Sequence, residues 1–328
     1  MNRLLKLILI KFPYLEAIIR NLYWRFKITN KLISFLTEKN KKKISIKNHK
    51  VSNKSSFSFF EKFIKEVIRN EEVILIHSSL SNLLKIGVDK NIFVENLLQL
   101  SLNNSITIAT PTFPIFKNEF KSLDRFKDPS LDPEKFPFDL QSKRISTGLL
   151  GKELLKKQNS QRSKIPINNL SAIGPLADKL FEKEHLYGNS PYPCGIYSPW
   201  QELYNLDSLI IFLDLNPSHS CTFIHYLEDY DPDKWPIKAW YRKRIFKVLN
   251  GKKIEILNTF ERHPKWSMSY CENKLLKDLI TENILEIHKI DGIKVYKCKS
   301  KKFFNFLKTK NSNLKNHYPY YLPFISGI

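Results

Sequence analysis

LIIFLDLNPSHSCTFIHYLEDY, residues 209–230, decides how this chain is read. Leu209–Leu213 is an unbroken apolar run that stops at Asp214, Asn216 and Pro217, as a short buried strand does. Ser218 and Ser220 then offer N-caps for a helix starting near Cys221. His225 and Glu228 follow three residues apart on one face of that helix. An imidazole oriented by a carboxylate just past a strand end is the constellation of a general base: the acid fixes the ring while the ring takes a proton. The same spacing also serves a solvated surface contact, so the pair alone leaves both readings open.

Upstream, Ser58 and Glu61 form a capping-box pattern, and Phe60, Phe63, Ile64, Val67 and Ile68 mark the apolar face of the helix it would start. Val73–Ile76 reads as a buried strand ending in His77, Ser78 and Ser79, where hydroxyls and backbone N–H groups are suited to receive a ligand phosphate or carbonyl. A helix over 91–102 and a strand over 106–109, closing in Thr110, Pro111 and Thr112, continue the alternation. The pattern predicts an α/β domain. Residues 114–139 read as an irregular wall over a site, and 229–244 as a lining for an acceptor pocket. The runs 245–248 and 254–257 make a hairpin with a two-residue turn at Asn250-Gly251, followed by helix 275–285, strand 293–296 and helix 301–307. Glu261 is open to two readings, a place in the pocket or a charge exposed to solvent.

The 328 residues, 42% of them hydrophobic, suffice for one large core. Net charge is +22, but residues 1–54 hold 14 Lys/Arg against Glu16 and Glu38, so +12 of it sits in that segment. Without a stacking-platform motif this is no case for nucleic acid. Leu15, Ile18, Ile19 and Leu22 recur at helical spacing beside Arg20 and Arg25. Such a helix suits either an anionic membrane surface or packing on its own domain. Residues 39–54 read as a linker, so the expected division is 1–54 as a basic extension and 55–328 as the catalytic domain. Four dispersed cysteines without CxxC spacing indicate neither a zinc site nor a disulfide framework, and fit a reducing, cytoplasmic setting, with or without peripheral contact at the inner face of the membrane.

Seven strings then come in order: IHSSLSNL at 76–83, TPTF at 110–113, FPFD at 136–139, a helix bearing Gly148, QRSKIPINNLSAIG at 161–174, CGIYSPWQEL at 194–203 and SCTFIHYLE at 220–228. Together they resemble the aminoglycoside 3-N-acetyltransferase family over roughly residues 58–325. The resemblance implies an α/β fold with a central sheet and helices on both faces, and acetyl transfer from acetyl-CoA to an amino sugar without a metal. It places His225 as the active-site base and Glu228 as its partner, with His77, Ser78, Ser79, Thr112 and Ser163 on the acetyl-CoA side. The chain departs from the family's pattern in places: Ile165 stands where it has a histidine, Asn168 and Asn169 where drug-modifying members have His-Ser, His219 where an aspartate is common, and Val88 and Asp89 follow Gly87 where a Gly pair is usual. These departures weigh against an aminoglycoside itself, and the Pro319–Leu322 string resembles family members of surface-polysaccharide clusters, so the implied acceptor is an amino sugar, aminoglycoside-like or a surface-glycan or nucleotide-sugar precursor, the alternative being a catalytically inactive scaffold at the membrane. Cys221, four residues before His225, is weighed as a nucleophile carrying the acetyl group and as packing, and direct transfer is preferred.

Overall fold

The computed structural model describes residues 12–25, 51–103, 106–120, 122–312 and 318–322. Its centre is a seven-stranded sheet in the order β4-β5-β2-β1-β6-β10-β9. The members are β1 (Val73–Ser78), β2 (Thr107–Pro111), β4 (Gln161–Arg162), β5 (Leu170–Ile173), β6 (Leu209–Leu213), β9 (Glu286–Ile290) and β10 (Ile293–Lys299). β1 runs parallel to both β2 and β6, while β4, β5, β10 and β9 pair antiparallel at the flanks.

The apolar runs of the three parallel strands feed two cores because successive side chains point to opposite faces. Val73, Leu75, Ile210 and Phe212 join one cluster. Ile74, Ile76, Leu209, Ile211 and Leu213 join the other. Helices cover both sides: Phe59, Phe63, Phe93 and Leu97 close the second face, and Trp200, Leu203, Leu275 and Phe303 the first. This is the α/β architecture the alternation predicted. A second sheet of β3 (Pro137–Asp139), β7 (Tyr241–Asn250) and β8 (Lys253–Arg262) has a small core of its own around Phe136, Phe138, Ile165 and Phe246.

Several local expectations are corrected. The helix Asn53–Phe63 is capped by Ser52, whose hydroxyl accepts from the Ser55 N–H, so Ser58 lies inside it. Beyond β6, Asn216 caps a short helix, Pro217–Ser220, that contains Ser218 and Ser220. The chain turns extended at Cys221 before the helix Ile224–Tyr230 begins without a side-chain cap. Asn216 wins because Pro217 presets the first helical residue, leaving the amide oxygen of Asn216 to accept from Ser218 N–H. The hairpin turns at Gly251 and Lys252, with Asn250 paired to Lys253, and both strands run longer than the apolar runs alone indicated. β9, absent from the sequence reading, is mostly polar and exposed, an edge strand without an apolar signal.

Residues 114–139 pack on the hairpin sheet. Phe116 and Phe136 meet Phe246, and Arg242 donates to the carbonyls of Arg125 and Lys127. The 229–244 segment sends Trp235, Ile237 and Trp240 into the main core, since indole area is worth more buried than lining water. Glu261 is neither surface nor pocket; it is buried between Arg242 and Arg244.

The helix Pro13–Arg25 docks on the domain through its polar face. Arg20 bonds Glu16, Glu272 and the carbonyls of Ser267 and Tyr270. Asn21 donates to Met268 O, and Asn273 donates to Glu16. Of the two readings of this segment, packing on its own domain describes Arg20, whose charge is spent internally, while Ile18 and Leu22 face outward. The remainder of the segment, 1–11 and 26–50, lies outside the described residues together with most of the predicted linker. No helix among the described residues is long and apolar enough to cross a membrane.

Candidate functional site

The three parallel strands end at one cleft of about 740 Å³. Ser78 at the end of β1 is registered against Leu213 at the end of β6. Beyond these ends the chain supplies Ser79 and Ser81 after β1 and His219, Cys221, Thr222 and His225 after β6, with Thr110 and Pro111 of β2 on the far side of β1. In doubly wound sheets ligands bind outside the carboxyl ends of the strands, where connections leave in opposite directions. Here β2 and β6 lie on opposite sides of β1, so the neighbouring loops part and leave a crevice.

His225 is 17% exposed and meets Glu228, 1% exposed, through an Nδ1–Oε2 contact of 2.7 Å. The other carboxylate oxygen accepts from Tyr321 Oη at 3.0 Å, and that phenol oxygen accepts from Arg262 at 2.7 Å. Burial pushes the Glu228 carboxyl up, but His225, Arg262 and Tyr321 together outweigh it, and the group lies below the ordinary carboxylate range. Glu228 is therefore ionised near neutral pH and can only accept. Nδ1 must then carry the proton, which leaves the Nε2 lone pair free. Tyr241 Oη donates to the Glu228 carbonyl, and Cys194 N–H donates to the buried Asp229 carboxyl, which burial raises to about 8. The CGIYSPW loop can approach this helix so closely because residue 195 is glycine: a Cβ there would lie 2.5 Å from Asp229 O.

His77 closes the floor of the cleft, stacked on Phe212 with ring centroids 5.1 Å apart. Its Nε2 is buried with no hydrogen-bond partner among the described residues, and burial lowers the ring to about 3. Thr147 Oγ1, also on the cleft wall, is likewise buried without a partner. Orphaned polar atoms cost free energy that a ligand can recover. The His77 shift has a readable consequence. The unfolded chain takes up a proton near pH 6.5 that the folded chain refuses until about pH 3, so stability contributed above that window is lost as pH falls through it. His77→Phe, which keeps the ring stack, should flatten urea-midpoint against pH by about one proton between these limits. Parallel curves for variant and wild type would mean the ring is not held neutral.

Of the residues assigned to the acetyl-CoA side, the fold brings His77, Ser78 and Ser79 to the cleft with His225. Ser79's backbone N–H is spent on Leu213 O, so only its hydroxyl is on offer. Thr112 and Ser163 are turned away. Thr112 is fully buried, donating to Asn169 Oδ1 and paired with Ser171 Oγ. Ser163 bonds the buried Glu184 carboxyl. Both hydroxyls serve the polar interior behind β5, where an unpaired group would be expensive. Ile165 lies in the hairpin core, so a histidine there would have to give up water for an apolar shell. Cys221 lines the cleft, but burial pushes its thiol to about 12, leaving about one thiolate in 10^5 at pH 7. Arg262, Tyr321, Thr147 and Asn168 were not foreseen. Tyr321 lies 93 residues from Glu228 in sequence, and no local pattern connects them.

The sheet and cleft place the chain among α/β proteins that bind ligands at the carboxyl edge of a parallel sheet. A family model described as aminoglycoside 3-N-acetyltransferase matches residues 75–310, and the chain belongs to this family of N-acetyltransferases. No curated protein sequence matches it. Similar solved structures include AAC-IIIb in a binary complex with CoASH, with TM-score 0.62 at 14% identity over 81% of this chain and 99% of that one. AAC(3)-IIb gives 0.58 at 18% identity over 80% and 97%, and AAC-VIa bound to sisomicin 0.53 at 15% over 77% and 95%. At these identities the likeness concerns the fold.

Proposed function

We propose that this chain transfers an acetyl group from acetyl-CoA directly to the amine of an amino sugar, with His225 as general base. The observation that carries the reading is the Glu228 carboxylate: both oxygens are occupied by donors, so the ring is held with Nε2 available at the cleft. The amine nitrogen attacks the thioester carbonyl carbon and His225 Nε2 accepts its proton. The carbonyl oxygen gathers negative charge, for which the Ser78 and Ser79 hydroxyls and the orphaned His77 Nε2 are placed as partners. The C–S bond then breaks, the CoA sulfur takes the proton from His225, and the N-acetyl sugar leaves. AAC-IIIb is described with CoASH and AAC-VIa with sisomicin, which supports a CoA donor and an amino-sugar acceptor here. Residues 55–328 carry the transfer machinery, with 1–54 added to it, and a precursor of a surface glycan is the acceptor class we favour.

Calorimetry should show acetyl-CoA binding to the full chain, and CoA should be released over a panel of amino sugars. Mixing with acetyl-CoA alone should leave Cys221 unmodified by mass spectrometry, in keeping with its protonated thiol. A chain that binds acetyl-CoA yet releases none with any amine would support the scaffold reading instead, and a stable acetyl adduct on Cys221 would replace direct transfer with a two-step route.

A further inference from the structure

We propose that the acceptor is an amino sugar bearing an anionic group, a phosphate or a carboxylate, and that His219 receives this group at the cleft wall. The inference rests on the acetyl-transfer reading and names its substrate class. His219 follows β6 in the same connection as Cys221 and His225, and its side chain is 56% exposed. Its Nδ1 faces Glu272, a nearly buried carboxylate that Arg20 also holds at 2.8 Å. That contact raises the His219 pKa above its ordinary value and favours the cationic ring. With Nδ1 in ion-pair contact with Glu272, the other ring nitrogen is the one left for the cleft. Arg262 contributes a second cation to the same lining, with Glu228 as the counter-charge near it. Among the described residues none that lines the cleft is an aspartate or glutamate. Both carboxylates sit behind the cations they hold, so the charges presented to a ligand are positive while their desolvation is already offset.

An acceptor with several ammonium groups would find hydroxyls and cations where it needs carboxylates. One carrying a single reacting amine and an anion finds a base for the first and charge-assisted donors for the second. Lys90, a further cation of the lining, opens the helix that joins β1 to β2 and stands on the β1 side with Ser79 and Ser81. His219 and Arg262 belong instead to the β6 side, with the base. The helix Pro13–Arg25, outside the matched family segment, thereby backs the acceptor wall through Arg20 and Glu272.

The test compares glucosamine, glucosamine 6-phosphate, a UDP-linked amino sugar, an aminouronic acid and sisomicin as acceptors for the full chain, following CoA release. At least one anionic acceptor should exceed glucosamine about tenfold or more in kcat/KM, the size of one charge-assisted contact. The phosphate and carboxylate arms identify which anion is read. His219→Gln should bring that ratio toward one, mainly through KM, and His219→Lys should restore part of it. If sisomicin or glucosamine is the best acceptor, the inference fails while acetyl transfer stands. If His219→Gln weakens acetyl-CoA binding as much as acceptor binding, the cation serves the donor and the inference fails. If no acceptor releases CoA, the acetyl-transfer reading falls and the inference with it.

Discussion

His225→Ala should lower kcat by about a hundred-fold or more with an identified acceptor while the acetyl-CoA Kd, measured by calorimetry, moves less than about twofold. The expected loss, about 2.7 kcal/mol of transition-state stabilisation, follows from removing the proposed base, whose Nε2 lone pair is left free by the proton on Nδ1. His77 cannot substitute: a ring whose pKa lies near 3 is too weak a base to carry a proton away from an amine. A folding defect is separable, because the side chain of His225 lies at the cleft and its removal leaves the Tyr321 bond to Glu228 in place. Near-full turnover by a variant with a native circular dichroism spectrum would return the His225–Glu228 pair to a structural role.

Glu228→Gln should cost about tenfold or more in kcat with the acetyl-CoA Kd little changed. The site presents two donors to this side chain, the His225 ring N–H and the Tyr321 hydroxyl, and a carboxylate accepts both. An amide has one acceptor atom and one donor group, so one contact must fail or invert. If the amide donates to Nδ1, the ring proton moves to Nε2 and the base loses the lone pair it needs. If it donates toward Tyr321, it meets an oxygen already accepting from Arg262, and the hydroxyl proton loses its partner at a cost of about 1–3 kcal/mol in stability. In either case the negative charge that stabilises the imidazolium formed when the ring takes the amine proton is gone. A variant with wild-type kcat would show that the carboxylate only holds the helix in place.

Much of the frame was legible from local signals. β6 has the bounds read from its apolar run, since five apolar residues ending at Asp and Asn offer the chain no alternative to a buried strand. His225 and Glu228 share a helix face, as their spacing required. The caps were misread because Ser218 and Ser220 look like good caps individually, and only the Asn216-Pro217 step shows where the first helical residue lies. Thr112 and Ser163 were placed by their neighbours in sequence, while their side-chain directions are decided by Asn169, Ser171 and Glu184 across the sheet.

By itself the sequence determined the α/β alternation, the buried strands and the His225–Glu228 pair, because each rests on periodicity or on contacts within one helical turn. It also carried the string order that resembled the family. Only the tertiary structure decided that Tyr321 and Arg262 complete the Glu228 network, that the N-terminal helix supports His219 through Arg20 and Glu272, and that His77 is desolvated into neutrality. These depend on groups far apart in the chain meeting in a low-dielectric interior. Charge, protonation and hydrogen-bond direction there are set by what surrounds a side chain, which no local pattern records.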